Sequence, residues 1–305
     1  MATSVVKTFC WSFLFFTVLL ASRNTSAQSN RGQATKGTPQ ENKCSTVING
    51  NYYAGTNKEM TTILQRIQTQ LSDVQDLLRE MKTEKENKTV KARNCADLFK
   101  SGERISGVYT INTDSSYAPF DVYCDQKTSG GGWTVIQKRL DGSVDFYRGW
   151  ADYKRGFGNL NGEFWLGLDK MHQLTKVGRN VIRIELEDIK GKTAYADYDM
   201  FAVASERAKY QLSLGTYSGT AGDSFSFQRG AFFSTKDQDN DPDKRHCAVT
   251  FKGGFWYSFC RHANLNGLYQ PGPHSSHADG MNWHDWKGDY YSAKRSEMKI
   301  RPADF

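Results

Sequence analysis

The folds open to this chain are limited above all by where its aromatic residues lie. Six of the seven Trp, and most of the Tyr and Phe, fall after residue 94. A segment of about 210 residues with that apolar content can bury a sizeable core and is not disordered. Within it, Gly131-Gly132-Trp133-Thr134-Val135-Ile136 reads as a strand after a glycine turn. Val181-Ile182-Arg183-Ile184-Glu185-Leu186 alternates apolar and polar, as a half-buried strand does. Residues 209–214 and 291–300 are further strand candidates, and helical pattern is confined to 150–155 and 168–174. These signals predict an α+β domain with much irregular structure.

Charge narrows the partners. The chain carries 40 Lys+Arg against 33 Asp+Glu, a formal +7, which by itself invites a nucleic-acid reading. The excess is not in the aromatic segment. Residues 1–27 hold +2, residues 28–94 hold 11 basic against 7 acidic groups, and residues 95–305 hold 27 against 26. Phosphate binding needs clustered Lys/Arg on one face, so nucleic acid is excluded as a partner of the nearly neutral head.

Residues 1–27 combine Lys7, an apolar run over 9–21 and the small residues Thr25-Ser26-Ala27. Charged start, short apolar centre and small exit describe a secretory signal peptide. Thirteen residues are too few for a membrane span, which takes about 20. The expectation is a secreted, extracellular protein with no membrane span. Cys10 then leaves, and Cys44, Cys95, Cys124, Cys247 and Cys260 remain. An odd number in an oxidising compartment predicts two internal bridges and one cysteine for another chain. Cys95 with Cys124 and Cys247 with Cys260 are the local pairings, and Cys44 stands alone as the interchain candidate. Asn87-Lys88-Thr89 is a glycosylation sequon that marks Asn87.

Between leader and head, residues 28–56 are rich in Gly, Asn, Thr and Ser and read as a flexible linker. Over 57–88 the pattern changes. Met60, Ile67, Val74 and Met81 lie seven apart, and Leu64, Leu71 and Leu78 form a second series four residues on. A strict period of seven is an a/d seam, whereas a helix docked on a globular domain would drift at 3.6. The segment predicts a short coiled coil and a homo-oligomer.

From residue 93 to 304 the sequence resembles fibrinogen C-terminal domains. The resemblance rests on Gly131 to Arg139, Asp141-Gly142-Ser143-Val144-Asp145-Phe146, Gly156-Phe157-Gly158-Asn159 and Gly162-Glu163-Phe164-Trp165-Leu166-Gly167-Leu168. Asn264-Leu265-Asn266-Gly267 and Ala278-Asp279-Gly280-Met281-Asn282-Trp283 complete it in the same order. Among such domains the pattern is similar to the lectin-like ficolins and tachylectins. The resemblance implies a small N-terminal subdomain, a central antiparallel sheet and a loop-rich C-terminal subdomain with the ligand site. It also implies the bridges Cys95–Cys124 and Cys247–Cys260.

Asp237-Gln238-Asp239-Asn240-Asp241-Pro242-Asp243 places four carboxylates at alternate positions. Oxygen-only donors suit Ca²⁺, but the run is no EF-hand, since its sixth position is Pro242 and its twelfth Ala248. Read alone, it is equally an acidic solvated loop. The resemblance implies calcium held by the carboxylates of Asp239 and Asp241 and the main-chain carbonyls of Asp243 and Arg245, with Asp237 a neighbour. It further implies a ligand funnel beside the second bridge, shaped by a cis peptide at Phe259–Cys260. The funnel positions fall on Phe251, Arg261, His277 and Asp289, where relatives place Tyr, His, Tyr and Tyr. The frame, including Trp256, Tyr257, Asn264, Ala278 and Trp283, is kept. Arg261 introduces a cation suited to carboxylates or sulfates, and His262 follows it.

No enzyme is expected. His274, His277 and His284 with Asp279 and Asp285 lack the helical spacing of a metallohydrolase, and a Cys260–His262 nucleophile would need a reduced thiol. The sequence thus points to a secreted recognition protein of the lectin kind, binding acetylated or acidic carbohydrates in innate immunity. The other reading is an extracellular signalling or matrix protein that binds a protein receptor.

Overall fold

The structure is a computed structural model that describes residues 50–90 and 92–305, with side chains over 57–82 and 92–305. The leader, residues 28–49 of the linker and Cys44 lie outside the described residues, and the Asn87 side chain does too. The chain divides into two units at residues 67 and 68, and each part is described by itself.

The heptad segment is one long helix, α1 (Gly50–Val90). It therefore begins inside the segment read as linker. Once the heptads pay the nucleation cost, each added residue such as Tyr52 or Ala54 gains a backbone hydrogen bond. Met60, Leu64, Ile67, Leu71, Val74, Leu78 and Met81 are all exposed on this single chain, as are Ile63 and Leu77.

The head opens with α2 (Cys95–Lys100), capped by the Asn94 side chain, which accepts from the Asp97 amide. Strands β1 (Gly107–Ile111), β2 (Phe120–Asp125) and β3 (Trp133–Arg139) follow. Next come α3 (Trp150–Arg155), β4 (Phe157–Gly158), β5 (Phe164–Trp165) and α4 (Leu168–Thr175). The middle is β6 (Asn180–Glu187), β7 (Thr193–Val203), β8 (Leu212–Leu214) and β9 (Tyr217–Gly219). The last strand of the chain, β16 (Arg295–Pro302), inserts between β3 and β6 to give the antiparallel order β1-β2-β3-β16-β6-β7-β8. The alternation read over 181–186 is the buried and half-buried alternation of β6.

Residues 209–214 are a correction. Only Leu212–Leu214 is strand, because Lys209 and Tyr210 sit at φ 51° and 50°, where a ladder cannot continue. That turn buries the Tyr210 ring against Trp150. Residues 291–300 split likewise into β15 (Tyr291–Ser292) and β16.

The remaining loops carry short pairs: β10 (Phe232–Ser234) with β11 (Phe255–Tyr257), β12 (Ala263–Asn264) with β14 (Asn282–Trp283), and β13 (Gly272–Pro273) with β15. Two single-turn helices, α5 (Cys247–Thr250) and α6 (His284–Lys287), complete the region. Both expected bridges form, Cys95–Cys124 and Cys247–Cys260, with Cα atoms 5.4 and 5.3 Å apart. The core under them is aromatic: Trp256 packs on Trp165, Phe201, Phe225 and Phe233.

One buried cation joins the sheet's strands. Lys299 Nζ on β16 reaches Asp125 at 2.7 Å, Glu185 at 2.8 Å and Glu297 at 2.9 Å. Burial would lower its pKa, but the three carboxylates hold it well above the usual lysine value. Asp125 is correspondingly held well below the usual carboxylate range against its own burial. Lys299→Met keeps the stem and removes the charge, leaving three carboxylates facing one another. We expect the head to lose about 3 kcal/mol in denaturant unfolding. A loss below about 1 kcal/mol would mean that solvent already satisfies these groups.

Candidate functional site

The acidic run is ordered by its own spacing. The Asp239 carboxylate accepts from the Asp241 amide (3.2 Å), Asp241 from the Asp243 amide (3.1 Å), and Asp243 from the Arg245 amide (3.0 Å). Each carboxylate thus caps a turn two residues on, which the alternate placement makes possible. Asp241 also accepts from the Cys247 amide at 3.1 Å, tying the loop to the second bridge. Arg245 pairs with Asp243 and holds its carboxyl below the ordinary value. Asp237 is used differently: it accepts from Trp150 N–H at 2.8 Å and from the Thr235 hydroxyl at 2.6 Å, capping α3. That leaves Asp239 and Asp241 as the close pair. Burial, and then the neighbouring Asp239, push the Asp241 carboxyl up to about 6. Two neighbouring carboxylates in mutual repulsion, Asp239 exposed and Asp241 half-buried, fit a hard divalent cation, which takes oxygen donors.

Beside the bridge, the structure brings Phe251, Arg261, His277, Ala278 and Asp289 together. The Arg261 side chain is only 2% exposed, lies 4.9 Å over the Phe251 ring and donates to Asp289 at 3.1 Å. Its Nε and Nη1 have no acceptor. Burial lowers its pKa, and Asp289 offsets part of that. The second Asp289 oxygen is 3.5 Å from His277 Nε2, and His277, 56% exposed, packs edge-on to Tyr290. Ala278 stands at φ 65° and donates its N–H to the Asp289 carbonyl at 2.9 Å. Tyr290 joins this wall through that ring contact, with no motif in the sequence to mark it.

Two asparagines hold the wall. Asn264 Nδ2 donates to the carbonyls of Phe251, Ala278 and Gly280, and its Oδ1 accepts from Tyr257 O–H at 2.7 Å. Asn282 Nδ2 donates to the carbonyls of Asp289 and Tyr291. The expected cis peptide at Phe259–Cys260 is corrected: no cis bond occurs among the described residues. The chain reverses instead through Cys260 at φ 58°, with the Ser258 N–H donating to the Cys260 carbonyl at 2.9 Å.

His262 is engaged elsewhere. It stacks flat on Phe227 (4.0 Å) and beside His284 (5.0 Å), and burial lowers its pKa. His274, His277 and His284 do not converge: His274 lies against Ser276 and Asp279, and His284 against Asp285. A cavity of about 680 Å³ lies elsewhere, over β6, β7 and β16, but its carboxylates Asp125, Glu185 and Glu297 are already taken by Lys299.

Comparison with known proteins matches the family model described as "Fibrinogen beta and gamma chains, C-terminal globular domain" over residues 91–303. The chain belongs to this fibrinogen C-terminal domain family. It is 49% identical over 211 residues to ryncolin-4 of Cerberus rynchops, covering 69% of this chain and 61% of that protein. It is 48% identical over 214 residues to Fibrinogen C domain-containing protein 1 of Mus musculus, covering 68% of this chain and 47% of the other. Tenascin-R of Gallus gallus is 47% identical over 211 residues, covering 69% of this chain and 15% of the other. The chain thus spans less than two thirds of these relatives' own lengths. Among solved structures, the fibrinogen-like globe domain of human ANGPTL2 matches at 42% identity and TM-score 0.68, covering 70% of this chain and all of that one. A lamprey fibrin D-dimer complexed with the peptide Gly-His-Arg-Pro-amide matches at 31% identity and TM-score 0.68, covering 84% and 90%. Fibrinogen-like domain families are recognition proteins. No helix among the described residues is long and apolar enough to cross a membrane.

The Asp241 carboxyl sits near 6 when folded and close to 3.9 when unfolded. Its preference for the protonated form therefore stabilises the fold below about pH 4, and this is lost as pH rises through about 6. In metal-free buffer, the stability of this fibrinogen-like head relative to its Asp241→Asn variant should fall across that window. Denaturant midpoints of both proteins measure it, and a difference that stays level or rises with pH contradicts the assignment.

Proposed function

We propose that the chain is a secreted, oligomeric, calcium-dependent recognition protein of the lectin kind. Its head binds acetylated or acidic carbohydrates at the wall beside the Cys247–Cys260 bridge, and innate immunity is the setting such binding fits. The observation that carries this reading is Arg261. A buried guanidinium with Nε and Nη1 lacking acceptors, set on an aromatic ring and next to the partly exposed rings of His277 and Tyr290, favours a ligand that brings carboxylate or other oxygen acceptors. Calcium, held by the carboxylates of Asp239 and Asp241 and the carbonyls of Asp243 and Arg245, would relieve the repulsion between the two carboxylates and fix the loop that leads into the bridge.

The exposed apolar stripe on α1 supports the oligomer, and Cys44, outside the described residues, is proposed as an interchain bridge. Single carbohydrate sites bind weakly, and joining several heads multiplies the effective concentration at a repeating surface. Glycosylation at Asn87 and secretion belong to the same proposal.

A receptor- or matrix-binding role is the second reading, and Phe259 is the observation that favours it. This large aromatic is 72% exposed beside the bridge, an apolar feature suited to a protein partner. The match to a fibrin fragment complexed with a peptide agrees with it.

A glycan array run with calcium and with chelator separates the two. Calcium-dependent signal on acetylated or acidic glycans, lost in Arg261→Ala, is the expected result; no calcium-dependent glycan binding sinks the first reading. Asp239→Ala should abolish the rise in Tm that calcium gives, and an unchanged rise would remove Asp239 from the ligand set. Leu71→Glu places a charge in the a/d seam. Under reducing conditions it should turn the oligomer into monomer in sedimentation equilibrium, and an unchanged mass would show that α1 is not the assembly element.

A further inference from the structure

We propose that His262, His284 and Asp285 form a second metal site, selective for a divalent transition metal of the zinc class and distinct in chemistry from the oxygen-only acidic loop. Strand pairing creates it. Ala263 pairs with Trp283 across β12 and β14, so the next residues outward, His262 and His284, face each other across the same antiparallel ladder. Directly opposed residues share a face, with Cβ atoms about 5 Å apart. The His284 N–H donates to the His262 carbonyl at 2.9 Å, which fixes that register. Asp285 follows as the second residue of α6, its amide donating to the Ser224 hydroxyl at 2.9 Å.

The three side chains meet at short range. One donor atom from each lies within 4.8 Å of the other two, and His284 Nδ1 is 3.4 Å from Asp285 Oδ1. Tetrahedral zinc places neighbouring donors about 3.3 Å apart, so the cluster needs only a modest closing movement. His262 is held by its flat stack on Phe227. His284, with its plane 25° from that of His262 and its side chain 44% exposed, can turn about its soft Cβ–Cγ torsion to aim its lone pair. Two imidazoles and a carboxylate suit zinc, copper or nickel and not calcium. Phe227 closes one side of His262, while the exposed His284 and Asp285 leave a coordination position open to solvent. Because His262 follows Arg261, a bound ion would brace the turn that carries the cation of the ligand wall.

The test is calorimetric titration of the full chain with zinc chloride in calcium-containing buffer. Wild type should take up one zinc per chain at this site. His284→Gln, a half-exposed position whose loss leaves the core intact, should weaken it by about tenfold or more, with an unchanged Tm confirming the fold. Asp285→Asn should weaken it less. Cu²⁺ bound to wild type should show two nitrogen donors in its electron paramagnetic resonance spectrum, and one in His284→Gln. Unchanged zinc affinity in His284→Gln, or a loss produced by His277→Gln in its place, overturns the proposal.

Discussion

A single buried charge pair gathers the sequence motifs of the head. Arg139 and Glu163 are almost wholly inaccessible and lie 3.7 Å apart. Neither could be buried alone, and each makes hydrogen bonds to backbone. Glu163 accepts from the amides of Leu140, Gly142 and Val144. Arg139 donates to the carbonyls of Leu265 and Gly267, with its guanidinium 4.0 Å over Phe146. Gln137, two residues back on β3, donates to the Leu265 carbonyl and to Asn266. Segments near residues 140, 163 and 265 are thereby bolted to one strand of the central sheet. Gly267 is needed there, because a Cβ would run into the Gly280 carbonyl. Arg139 keeps its charge although burial lowers its pKa to about 10.

From that anchor the ligand wall follows by steps. The 264–267 turn sets Asn264, whose amide holds Phe251, Ala278 and Gly280 in place. Asn282 then fixes 289–291, and with it the carboxylate that meets Arg261. The second bridge joins this assembly to the acidic loop, where Asp241 accepts from the Cys247 amide. Irregular backbone is used throughout this region, and side-chain amides supply the partners that a regular sheet would give.

Much of the fold was legible because its signals are local. The alternation of Val181 to Leu186 needs only a sheet with one buried face, and the seven-residue spacing from Met60 to Met81 needs only a helix. Where the reading failed, distant contacts decided. Lys209 and Tyr210 look like strand residues, but burying the Tyr210 ring against Trp150 turns the chain. Cys260 reverses direction through a left-handed residue and not through a cis bond. Within the wall, Phe251, Arg261, His277 and Ala278 could be placed by resemblance, whereas Tyr290 could not. The approach of His262 to His284 is invisible until Ala263 is seen to pair with Trp283, twenty positions away. Motif spacing in this family marks what the network above requires, and it says little of side chains that meet by packing alone.

The Arg261–Asp289 pair has a consequence for selectivity. An anion approaching this wall does not meet a bare cation, because Asp289 is already in residence and shares the guanidinium with it. On the proposed reading, recognition is then an exchange of one carboxylate for another, and its net gain depends on where Asp289 goes. His277, 3.5 Å away on the solvent side, is the group placed to receive it. His277 and Asp289 together would thus act as a counterweight, favouring ligands whose carboxylate takes the guanidinium while Asp289 keeps its contact with His277.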